Sequence, residues 1–81
     1  MNTKELQEAA KAGNVDERFL SLHGEVKDES YVFEREEGKG WCVYYSERGQ
    51  RSGERFFITE EEACAFIFDR LNRDPNVRRR P

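Results

Sequence analysis

The sequence predicts an α+β fold: a small antiparallel sheet of three to four strands, arranged as a meander, with one or two helices packed on one face. Three observations predict it. Trp41-Cys-Val-Tyr-Tyr45 is aromatic and β-branched, the composition that half-buried strands favour. Residues 31–36 alternate with a period of two, Tyr31, Phe33 and Arg35 facing one way and Val32, Glu34 and Glu36 the other. Thr59-Glu-Glu-Glu62 then opens a series, Ala63, Ile67 and Leu71, spaced as on one helix face.

Taken in chain order, residues 3–12 are good helix formers, with Thr3 as the expected cap and Gly13-Asn14 as a stop. Glu5 and Gln7 do not complete a capping box with Thr3. Only Leu6, Ala9, Ala10 and Val15 are apolar there, so this helix is expected to dock loosely. Phe19-Leu-Ser-Leu22 is an apolar patch that suits either a first strand or the end of a helical turn, closed by His23-Gly24. Residues 25–30 are polar and read as a turn or a short edge element. The strand at 31–36 leads through Glu37-Gly-Lys-Gly40, whose glycines supply positive φ, into the Trp41 strand.

On that strand Trp41, Val43 and Tyr45 share one face, and Cys42, Tyr44 and Ser46 the other. The first set carries more apolar area and is expected to meet the helices, which leaves Tyr44 on the less covered side. If the Trp41 ring is core, its replacement by alanine costs about 3–5 kcal/mol. A seven-residue loop, 47–53, is expected before the next strand, Arg55-Phe-Phe-Ile58. Thr59 and Glu62 form a capping box, the N-terminal glutamates and Arg70 and Arg73 suit the helix dipole, and Asp74-Pro75 ends the helix.

The 81 residues fit a single domain spanning 1–81, with an N-terminal helix at 1–14, a core at 19–74 and a flexible tail at 75–81. Apolar content is 36% and charged content 38%, a balance that also occurs in disordered chains. The six Phe, three Tyr and one Trp all fall between residues 19 and 71, which argues for a folded core there. Net charge is −3, unevenly spread: residues 1–37 hold ten acids and five bases, residues 38–81 seven acids and nine bases. The acidic front half suits capture of a basic partner or a well-solvated surface.

Reactive constellations are sparse. Cys42 and Cys64 fall in a strand and a helix, where buried free thiols in a reducing cytoplasm are expected rather than a disulfide framework. His23 is the only histidine, so neither a zinc ligand set nor a Cys–His nucleophile is assembled. Glu60, Glu61 and Glu62 are explained by helix capping, and the glycines by turns. No catalytic, metal or cofactor site is therefore predicted, and the chain is read as not an enzyme. No N-terminal stretch resembles a signal peptide and no apolar run reaches the length of a membrane span, which gives a cytoplasmic expectation with no membrane partner. The arginines at 48, 51, 55 and 78–80 raise nucleic acid as a partner, but the net charge opposes it. In the 47–53 loop, arginine beside tyrosine is the chemistry that anchors protein interfaces, and Tyr44, Glu47, Arg48 and Arg51 are the candidate protein-binding residues.

The stretch Trp41-x-Val-Tyr-Tyr-Ser-Glu-Arg-Gly49, followed by Phe57 and Thr59-Glu-Glu-Glu-Ala-Cys64, resembles small bacterial immunity proteins of polymorphic toxin systems, over residues 20–74. The resemblance implies a cytoplasmic protein that binds a cognate toxin domain and occludes its active site. The alternative is a small interaction or regulatory module, including a homodimer formed through an exposed sheet edge.

Overall fold

The computed structural model describes residues 1–22, 24–38 and 40–78. His23, Lys39 and residues 79–81 lie outside the described residues, and with them the turn expected at His23 and the last two tail arginines. The fold is α+β, as expected. Helix α1 (Thr3–Ala12) is followed by a single 3₁₀ turn at Glu17–Phe19 and a two-residue strand β1 (Leu20–Ser21). Strands β2 (Ser30–Glu36), β3 (Gly40–Glu47) and β4 (Gln50–Phe57) lead to helix α2 (Glu60–Arg73) and a second 3₁₀ turn, Pro75–Val77. The four strands form one sheet in the order β1-β2-β3-β4.

The meander is β2-β3-β4, in which Phe33 faces Val43 and Trp41 faces Phe57. β1, however, joins β2 in parallel, Leu20 beside Tyr31, so the sheet is mixed. Parallel neighbours commonly need a dozen or more connecting residues. Residues 22–29 suffice here because β1 is only two residues long and the chain has little distance to retrace. Buried serines hold the crossover. Ser30 donates to the Lys27 carbonyl at 2.7 Å, and the Ser21 hydroxyl accepts from the Lys27 amide at 3.1 Å. Each hydroxyl has one proton, so Ser21 is the donor in the 2.8 Å Ser21–Ser30 contact.

Both helices lie on the face expected. The main core joins Leu6 and Ala10 of α1, Ala63, Cys64, Ile67 and Leu71 of α2, and Leu20, Phe33 and Val43 of the sheet. Trp41 packs at its margin, stacked on Phe33 with ring centroids 5.2 Å apart. Tyr44 lies on the opposite face with Val32 and Cys42.

Four local expectations are corrected. The cap of α1 is Asn2, not Thr3: its side chain accepts from the Glu5 amide at 2.8 Å while Glu5 reaches back to the Asn2 amide at 3.1 Å, a complete capping box one residue earlier. Leu6 is 0% exposed, so this nearly polar helix is held by one leucine and Ala10 sealed against the core. At α2, Thr59 does accept from the Glu62 amide at 3.2 Å, but the Glu62 carboxylate returns to the Thr59 hydroxyl at 3.0 Å rather than to its amide. The tail is docked through residue 78. Val77 is buried, its carbonyl accepts from the Asp16 amide at 2.8 Å, and Arg78 donates to the Gly13 carbonyl at 2.7 Å.

Candidate protein-binding face

The segment 47–53 is not the long loop expected. β3 and β4 are joined by Arg48-Gly49 alone, and Glu47 pairs with Gln50, Ser46 with Arg51 and Tyr45 with Ser52. Arg48 and Gly49 have φ of 53° and 78°, the left-handed pair that matches strand twist in two-residue hairpins. The Asp28 carboxylate secures the turn by accepting from the Arg48 amide at 2.6 Å. Gly53, at φ 64°, and Glu54 together stand opposite Tyr44, a bulge that absorbs the second glycine of the segment.

This register carries Arg51 onto the sheet face away from the helices. Its guanidinium lies over the Tyr44 ring, 4.3 Å from the centroid. Three carboxylates surround it: Glu54 at 3.2 Å, Glu36 at 3.6 Å and Glu34 at 3.7 Å. The Tyr44 hydroxyl donates to Glu34 at 2.9 Å. Beneath this layer Val32, Cys42 and Tyr44 form a small second core, sealed by charged side chains whose stems cover apolar surface. Next to it, Phe56 is 46% exposed and Ile58 is 90% exposed.

Of the candidate residues, the structure therefore brings Tyr44 and Arg51 together. Arg48 sits at the turn. Glu47 alternates with Tyr45, which places it on the helix side of the sheet, where its charge helps burial raise the Tyr45 pKa. Glu34, Glu36 and Glu54 were not singled out from the sequence. The alternation of β2 already placed Glu34 and Glu36 on the Val32 side; only the pairing of β2 with β3 reveals that this is also the Tyr44 side. The face holds three carboxylates against one guanidinium, and so presents a net negative rim beside exposed apolar groups. That chemistry fits a cation-rich protein surface.

Several titratable groups are held neutral. Burial pushes the Cys42 and Cys64 thiols up to about 11, with nearby glutamates adding to it. Burial raises Tyr44 to about 12, assisted by its bond to Glu34, and raises Tyr31 to about 12, assisted by Asp74. A high thiol pKa suppresses the thiolate that nucleophilic chemistry uses. It also predicts an alkaline instability. Above about pH 9 the unfolded thiols ionise, and above about pH 10 the unfolded phenols, while the folded groups hold their protons to about 11 and about 12. The unfolded state then binds fewer protons, so stability present below pH 9 is lost as pH rises towards 12. The urea midpoint is expected to be lower at pH 10.5 than at pH 7.5; equal midpoints contradict these environments.

Among the described residues no three His, Cys, Asp or Glu side chains are placed to hold a metal ion, and no helix is long and apolar enough to cross a membrane. No protein-family model, no curated protein and no solved structure matches this chain.

Proposed function

We propose that this chain is a non-enzymatic protein-binding domain that acts as an immunity-type inhibitor, covering the active site of a cognate toxin domain in the cytoplasm. The carrying observation is the helix-free sheet face. Glu34, Glu36 and Glu54 outnumber Arg51 there, and Ile58 and Phe56 lie exposed beside them. An acidic rim steers a basic partner into contact, and apolar groups slow its release. Inhibition of this kind is steric and electrostatic, and uses no cofactor.

The geometry disfavours the two rivals in different ways. Nucleic-acid binding needs uncompensated cations. Arg51 is enclosed by carboxylates and Arg78 is bonded to the Gly13 and Asn72 carbonyls; Arg55 and Arg70 make no ion pair among the described residues, but two such cations on a chain of net charge −3 make a weak phosphate surface. A homodimer through the β4 edge needs a regular strand, whereas β4 carries the Gly53–Glu54 bulge and charged side chains, features that blunt sheet edges.

The test is co-expression with a polymorphic toxin encoded in the neighbouring genes. Growth rescue and a stable complex on size-exclusion chromatography are expected, and failure of both removes the reading. Within such a complex, Ile58→Asp should weaken binding at least tenfold with little change in folding. Replacing Glu36 and Glu54 by glutamine should slow association and flatten its salt dependence.

A further inference from the structure

A second surface lies on the helix side of the sheet, across the strands from the Arg51 cluster. Where β4 bulges at Gly53 it leaves a groove of about 250 Å³ between β3, β4 and α2. Val43 and Ile67 form its floor. Its walls are aromatic. The rings of Tyr31 and Tyr45 meet edge to face at 5.0 Å, and Phe66 stands across from them on α2. Two arginines from different elements converge on the rim, Arg55 from β4 and Arg70 from α2.

The charge state of these arginines gives the groove a direction. Elsewhere Arg18, Arg51 and Arg73 are ion-paired with carboxylates. Among the described residues neither Arg55 nor Arg70 makes an ion pair; Arg70 instead stacks on Phe66, 5.0 Å from the centroid. The acids on this side are Glu47, Glu29 and Asp28, whose charges act on Tyr45, and Asp74, which is engaged by the Tyr31 hydroxyl at 3.2 Å; none of them is ion-paired with Arg55 or Arg70. Two unneutralised guanidiniums beside an aromatic-walled, apolar-floored groove complement an apolar side chain flanked by carboxylates. Neither guanidinium has to be freed from a carboxylate first.

From this we infer that the groove is a docking site for an acidic segment of a protein partner: one large apolar side chain enters between Tyr45 and Phe66, and the carboxylates beside it bond Arg55 and Arg70. Tyr44 borders both sites, but the groups that would bind here, Tyr45, Phe66, Arg55 and Arg70, are not those of the proposed toxin-binding face, so the two are tested separately.

The experiment is an NMR titration of the ¹⁵N-labelled full chain with a blocked pentapeptide that has phenylalanine at its centre and glutamates on both sides. Amide shifts confined to Tyr45, to residues 52–55 and to residues 66–70 are expected. Arg55→Gln and Arg70→Gln should each weaken binding at least fivefold with an unchanged circular dichroism melt. The same peptide with glutamines in place of its glutamates should bind at least tenfold more weakly. No shifts at millimolar peptide, equal binding of the glutamine peptide, or shifts spread over the other arginine-bearing surfaces would overturn the assignment. So would inorganic phosphate producing the same shifts with the same affinity, since that marks a generic anion site.

Discussion

Leu71→Ala is expected to lower the melting temperature by about 10–30 °C. Leu71 is 0% exposed, on the α2 face that packs against α1 and the sheet. Truncating a sealed leucine removes its transfer free energy and leaves a cavity, together about 2–5 kcal/mol. A domain of this length has about 4–12 kcal/mol in total, so the variant is left near the folding threshold. A thermal melt followed by circular dichroism is the measurement. Ile58→Ala, at a side chain that is 90% exposed, should move the melt little and serves as the control. A drop under 5 °C for Leu71→Ala would show that the helices do not close over the sheet as described. Trp41, the residue that composition nominates as the keystone, should matter less. It is only partly buried, between Phe33 on one side and the Arg35 guanidinium 5.4 Å from its ring.

Gly40→Ala is expected to destabilise by about 3 kcal/mol or more, a figure that combines backbone strain with a steric clash. Gly40 has φ 86°, a conformation side chains rarely adopt, and a Cβ there would meet the Phe57 carbonyl oxygen at 2.5 Å. That oxygen belongs to the backbone of β4, so relief requires moving the strand. Gly38 separates the two contributions. Its φ is 80°, but a Cβ there meets nothing within 4 Å, so Gly38→Ala should cost only the strain, about 1–2 kcal/mol. Urea denaturation of the two variants measures the difference. Equal losses would mean that the close approach of β3 and β4 at Gly40 is not a constraint.

The two glycines also illustrate what kind of information a sequence carries. Their presence marks a turn between β2 and β3 and predicts positive φ, which both have. That one of them is irreplaceable follows from Phe57, seventeen residues further on, coming to lie against it. The segment 47–53 shows the same limit from the opposite direction. Its two glycines suggest a long loop, but one belongs to a two-residue turn and the other to a bulge, and both outcomes are set by the pairing of β3 with β4.

Sequence alone determined the helix α2 with its start and stop, the β2-β3-β4 meander, and the assignment of Trp41 and Tyr44 to opposite faces. Each of these is written in periodicity or in a cap, signals that span a few neighbouring residues and survive without knowledge of the rest. Tertiary structure decided the parallel entry of β1, the docking of α1 through Leu6, the anchoring of Val77 and Arg78, and the gathering of Glu34, Glu36 and Glu54 about Arg51. Those depend on which distant segments become neighbours. Strand register makes that choice, and a single bulge residue is enough to change which charge faces which ring.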